Sequence, residues 1–225
     1  MSISSINTTL SDLGVTSLQV LYDFSSYSGS YINSVANGNG QYSGEVIGFD
    51  TSFTGQNSGS GYFTNQQINI QNTTGIEGNA FTVIFSQEKT GVGPGTLFSN
   101  VNAPSGFEVG ITAANKLYYK NYINGTPNYQ TFENYPCDKN LYAVSMTEQG
   151  KGSMYRLDFG EKMTVPFPNQ FANANNAAND APPDNPNPVY YNLEKTSFIV
   201  PSHTVVNGTE WKVGSGDYIY KGYMD

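Results

Sequence analysis

Between Gly61 and Lys89 the chain reads GYFTNQQINIQNTTGIEGNAFTVIFSQEK, two short segments separated by an Asn- and Gly-rich turn. In the second, Phe81, Val83 and Phe85 alternate with Thr82, Ile84 and Ser86, so the two sets point to opposite faces of an extended chain. The spacing predicts strands at 67–70 and 81–87. The same rhythm continues through GTLFSN (95–100), GFEVGI (106–111) and KLYYK (116–120), each bounded by turn residues. Short alternating segments at this interval predict an all-β fold, an antiparallel sandwich whose inner faces share one core. Phe81, Val83 and Phe85 are expected to face inward, with Leu97 or Phe98 and with Phe107 and Val109.

Composition agrees. Tyr (17), Phe (13) and Gly (24) are abundant, and charged residues make up only 12% of the 225 positions. Helices would draw on more Glu, Lys, Ala and Leu. A net charge of -8 argues against nucleic acid as a partner, because phosphates require a basic surface. No apolar run approaches the ~20 residues of a membrane span, and residues 1–17 lack a basic start followed by an apolar run. No membrane insertion and no signal peptide are therefore expected. Cys137 is the only cysteine, which excludes an intrachain disulfide.

The order of features resembles that of LamG-like, concanavalin A-like sandwiches, a superfamily of lectins and glucanases. The resemblance runs through LYDFS near the start, GYF followed by QINI, NAFTVIFSQEK, GTLFSN, GFEVGI and KLYYK. It continues in the hairpin LYAVSMTEQGKGSMYRLDFG (141–160) and in the closing WKVGSG and YKGYMD. It implies a jelly-roll over residues 18–225, preceded by an arm at 1–17. Two departures stand out. A long stretch separates Phe159 from Trp211, and its middle, FANANNAANDAPPDNPNP (171–188), is too rich in proline for a central strand. It reads as an insertion at about 163–203, with a strand returning near 197–200. The family's final strand has little length before Asp225, so the closing strand is expected to continue beyond it.

Few residues offer chemistry. Glycoside hydrolases need two carboxylates across the scissile bond, and the Glu-x-Asp-x-x-Glu pattern of the superfamily's glucanases does not occur. Glu45, Glu88, Glu108, Glu133 and Glu148 each lack an acid at i+2. The one histidine, His203, follows Pro201 in a polar segment and reads as a surface residue. No cofactor is called for. Calcium is the cation whose oxygen ligands the chain could supply, from Asp180, Asp184, Asn185 and Asn187, or from Asp50 and Asp217.

Sugar binding would rest on exposed aromatic rings. In KLYYKNYINGTPNYQTFENY, Leu117 and Tyr119 share one face and Tyr118 and Lys120 the other. One set is core; the other, with Tyr122, Tyr129 and Tyr135, forms a candidate ligand-binding surface. Trp211 is expected inside. The segments 27–42, 121–135 and 171–188 read as the long loops. The expectation is thus a non-enzymatic structural and adhesive module in a virion, such as a phage tail component. Its partners would be copies of itself, other virion subunits or host glycans. The alternative is a free carbohydrate-binding lectin of a bacterial cell surface or extracellular space.

Overall fold

The computed structural model describes Val20, Tyr22, Phe24 and residues 31–32, 44–47, 61–70, 78–136, 141–158 and 192–224. The arm at 1–17, Asp50, Cys137, most of the insertion and its candidate calcium ligands lie outside the described residues, as do the loop at 171–188 and most of that at 27–42. The described chain is all β, two antiparallel sheets packed face to face as a jelly-roll sandwich. Its strands are β1 (Tyr31–Ile32), β2 (Gly44–Ile47), β3 (Gly61–Phe63), β4 (Gln67–Ile70), β5 (Phe81–Lys89), β6 (Gly95–Asn102) and β7 (Ser105–Ile111). They continue with β8 (Lys116–Ile123), β9 (Thr126–Pro136), β10 (Leu141–Met146), β11 (Lys151–Asp158), β12 (Asn192–Ile199), β13 (Trp211–Val213) and β14 (Gly222–Met224). One sheet has eight strands in the order β1-β2-β4-β13-β6-β7-β8-β9, the other six in the order β12-β11-β10-β5-β14-β3.

The alternation at 81–85 does what its pattern requires. Phe85 is buried, Phe81 and Val83 pack against the core, and Ile84 on the opposite pleat is 55% exposed. Although β4 and β5 are consecutive along the chain, they enter different sheets. The choice between Leu97 and Phe98 turns out to be no choice. The β6–β7 register shifts between Thr96 and Phe98, and both Leu97 and Phe98 are buried in the core. A bulge of this kind lets two neighbouring side chains escape strict alternation.

Segment 121–135 is not a loop. It is the end of β8, a tight turn and most of β9, with Ile123 opposite Thr126. Asn124 and Gly125 both have positive φ, 50° and 77°, the combination that a two-residue hairpin turn needs and that Asn-Gly supplies. The YKGYMD segment forms β14, which lies between β3 and β5.

Phe107 of β7 is the centre of the core. It stacks on Phe81 of the facing sheet at 4.7 Å and on Tyr119 at 5.7 Å, and it meets the edge of Trp211 at 5.2 Å. Trp211 is inside, as expected. His203 is not at the surface. The segment after β12 tucks it against Phe81, Phe107 and Tyr119, where it is buried. The Tyr119 hydroxyl donates to Nδ1 at 2.9 Å, and Nε2–H donates to the Asn79 carbonyl at 2.8 Å. A polar sequence context concealed this because both partners are distant in the chain. Its loop is tied down further: Asn100 Oδ1 accepts from Val206 N, and Asn121 Nδ2 donates to the Pro201 carbonyl.

Two outcomes follow from this packing. Phe85→Ala removes a ring that also contacts Tyr142 and Phe98, and should cost about 3–5 kcal/mol in urea unfolding. His203 has its pKa lowered by burial, only partly offset by its bond to Asn79 and by the charge of Glu148. The folded state therefore favours the neutral ring, and in the acid window the unfolded state binds more protons. Stability should be full above the ordinary histidine pKa of about 6.5 and fall as pH drops through the lower folded value. Thermal melts across this window should show the fall in the native chain and a flatter profile in His203→Gln.

Candidate functional site

The pleat opposite the core in the eight-stranded sheet carries a row of side chains set by strand register. Tyr31, Glu45, Asn69, Lys212, Ser99, Glu108, Lys120 and Tyr129 stand opposite one another in turn from β1 to β9. The outer members, Tyr31 and Tyr129, are half exposed, whereas Asn69, Ser99, Glu108 and Lys120 are buried. The loop between β13 and β14 covers the middle of this row. Gly214 N donates to the Leu97 carbonyl, Ser99 Oγ to the Ser215 carbonyl, and Tyr218 N to Thr96 Oγ1. The loop re-enters the core at Tyr220, which is fully buried against Phe63.

Beneath this loop sits a charge cluster. Lys120 Nζ lies 3.5 Å from Glu108 Oε2 and 2.5 Å from Asp217 Oδ2. Glu108 also accepts from the Tyr118 hydroxyl at 2.5 Å and from Asp217 N at 2.7 Å. Both carboxylate oxygens of Glu108 are thus engaged, and neither Glu108 nor Lys120 reaches solvent. Burial works to lower the Lys120 pKa, but the Asp217 hydrogen bond and the charges of Glu108 and Asp217 outweigh it, so the pKa is raised and the ammonium retained. Tyr118 has its pKa raised, first by burial and then by the Glu108 charge and hydrogen bond. The approach depends on two glycines. A Cβ on Gly216 would collide with the Glu108 carboxylate, and one on Gly110 with the Tyr118 hydroxyl.

Around the cluster stand aromatic side chains. Tyr129 is 49% and Tyr218 41% exposed, with Ile219 beside Tyr218 at 37%. The Tyr129 ring lies 5.8 Å from that of Tyr118, and half-buried Tyr122 has Lys120 Nζ 5.5 Å from its ring centroid. Tyr129 has its pKa raised, first by partial burial; Lys120 opposes this, while Asp217, Tyr218 and Glu108 add to it. Tyr129 stands directly across from Lys120 in the β8–β9 register, and Lys120 is bonded to Asp217, the chain neighbour of Tyr218.

Strand alternation therefore brings Tyr118, Tyr122 and Tyr129 to one face, as the sequence suggested, but with different roles. Tyr118 is only 2% exposed and bonded to Glu108, so it supports the face from below. Tyr135 falls within β9, and its side chain is outside what the structure describes. Sequence reasoning missed Tyr218, weighed Glu108 only as an isolated acid, placed Lys120 on the Tyr118 face without its ion pairs, and considered Asp217 only for calcium. With Lys120 bound to it, Asp217 is a poor cation ligand, and no group of three His, Cys, Asp or Glu side chains suited to a metal occurs among the described residues. The one available signal was the run GSGD between β13 and β14, small residues able to lie close against a sheet.

No family model and no curated protein matches the chain. Among solved structures it is similar to the CBM40 of Ruminococcus gnavus IT-sialidase bound to α2,3-sialyllactose. That match has 11% identity over 68% of this chain and 78% of the other, with a TM-score of 0.40. It is also similar to the binding domain of botulinum neurotoxin serotype D (9% identity, 91% and 47% coverage, TM-score 0.46). A structure of botulinum neurotoxin type C, whose cell entry depends on two ganglioside molecules, gives 11% identity, 99% and 49% coverage and a TM-score of 0.48. The chain spans about half the length of the two neurotoxin structures. At these identities and TM-scores the likenesses carry no inference about family or function.

The cluster makes a sharp prediction. Lys120→Met leaves the buried Glu108 carboxylate without its cation and should cost about 3–5 kcal/mol in urea unfolding at neutral pH. Adding Glu108→Gln should recover part of that loss, giving a non-zero coupling in the double-mutant cycle. Asp217→Asn should cost less, because its side chain is 39% exposed and screened by water.

Proposed function

We propose that this chain is a non-catalytic adhesive module that holds carbohydrate against the face formed by Tyr122, Tyr129 and Tyr218. The observation that carries this reading is that Tyr122 and Tyr129, on the sheet, flank Lys120, whose partner Asp217 is the chain neighbour of exposed Tyr218. Tyrosine offers a stacking face and a hydroxyl at little cost in side-chain entropy. Preorganised rings on strands spend less free energy on ordering than rings on a mobile loop. The acids argue in the same direction. Among the described residues, the carboxylates Glu108 and Asp217 meet across a lysine, and Glu108 is sealed from any substrate. A general acid must reach the proton it transfers.

In its finer form, the proposal places the module in a large assembly, a phage virion or tail, among copies of itself or other subunits. The acidic, Tyr-, Asn- and Gly-rich composition supports this. A free lectin on a bacterial surface is the competing reading, and copy number distinguishes them. An open face built from a few rings binds weakly, and linking copies raises avidity ~100- to 10,000-fold without a new contact. The adhesive module should show weak or undetectable binding to cell-surface glycans as a monomer and strong binding when multimerised, with no reducing sugar released from β-glucans. Tight binding by the monomer would favour the lectin. Sugar release abolished by Glu108→Gln in a still-folded protein would refute the non-catalytic reading.

A further inference from the structure

The geometry of the Tyr129–Tyr218 face points to a ligand class: we infer that it takes neutral saccharides and rejects sialylated, uronic or sulfated ones, with Asp217 accepting from sugar hydroxyls. This rests on the reading that the face binds carbohydrate. Asp217 stands among the tyrosines with its side chain 39% exposed. Lys120 holds its Oδ2 at 2.5 Å, while Oδ1 receives no hydrogen bond from the described residues. A carboxylate fixed in this way is an acceptor that cannot swing aside, and charge-assisted O–H···O bonds are among the stronger ones. Sugar hydroxyls supply that donor. A carboxylate or sulfate on the ligand would present acceptor to acceptor.

Among the described residues, no second cation is bonded to Asp217 to offset the repulsion. Lys120 is sealed from solvent and held between two carboxylates, so one cation against two anions leaves the cluster with a net negative charge. Lys116 lies four residues back along β8, roughly 13 Å away at strand rise. Lys212 stands across Ser99 and Glu108, on β13, from which the covering loop departs. The chain as a whole carries -8. A like charge within about 4 Å of Asp217 weakens binding roughly fivefold even at the dielectric of water, and more where solvent is excluded.

The test uses the full chain, multimerised, on an array in which neutral galactose-, glucose- and mannose-based oligosaccharides stand beside their sialylated, uronic and sulfated derivatives. Lactose and sialyllactose form one such pair. Binding should be confined to neutral members, with each acidic derivative at least about fivefold weaker than its parent, and added salt should narrow that gap. Asp217→Asn should weaken neutral binding and narrow the gap as well, with a thermal melt to establish folding. Tyr129→Ala, which leaves the ion cluster intact, should weaken all binding without changing the ratio. An acidic derivative bound as well as its parent would overturn this inference while leaving the carbohydrate reading in place. Absence of binding to every member would overturn both.

Discussion

An ammonium group without water is among the most demanding objects a fold can contain. Lys120 is fully buried on the pleat facing away from the core, and the charge is tolerable only if carboxylates replace its hydration shell. One comes from the neighbouring strand, since register sets Glu108 directly opposite Lys120. The other must arrive from elsewhere, and Asp217 brings the β13–β14 loop with it. That requirement explains why a loop lies flat on the sheet where Gly216 allows contact. It also explains why Glu108 collects the Tyr118 hydroxyl and the Asp217 amide. The display of Tyr218, next in the chain to Asp217, is a consequence of neutralising one lysine.

The same two strands build the other side. On β7, Phe107 and Val109 point into the sandwich while Glu108 between them points out; on β8, Leu117 and Tyr119 do the same around Tyr118. Phe107 stacks on Tyr119 within its own sheet and on Phe81 across the interior. Close packing transmits small displacements rather than absorbing them. The core that aligns Phe107 with Tyr119 therefore also fixes the separation of Glu108 from Lys120. His203 extends this coupling, because its ring bonds Tyr119 on one side and the Asn79 carbonyl ahead of β5 on the other.

Local pattern reaches as far as alternation and turn chemistry, and no further. Alternation at Phe81–Phe85 was enough to assign the inner face, whereas at Leu117–Lys120 it separated the two sets and the packing then showed Leu117 and Tyr119 to be the core pair. The Asn-Gly pair at 124–125 carried a hairpin signal that the polar look of the surrounding segment obscured, and a loop was expected there instead. The bulge beside Leu97 leaves no mark in the residues themselves, being a property of how β6 pairs with β7. His203 and Asp217 were misjudged for a common reason. Each is polar, sits among polar neighbours, and finds its partner 84 and 97 residues away respectively. A satisfied buried polar group looks in sequence like an exposed one, since the satisfaction is wholly tertiary.

The arrangement also sets what kind of adhesion the face can support. Its rings lie on an open sheet and on the loop that covers it, so a bound sugar would keep much of its surface in water and gain from few contacts at once. Affinity per site is then limited by stacking and by one fixed acceptor, whereas tight small-ligand sites enclose most of their ligand. A surface of this kind gains strength by repetition, which demands that copies remain soluble and not stick to one another. The acidic balance of the chain serves that demand through mutual repulsion, and the net negative cluster beneath Asp217 extends the same sign onto the face itself. On the proposed reading, solubility and ligand choice would be governed by one charge pattern: the sign that keeps copies apart would also decide which sugars can approach.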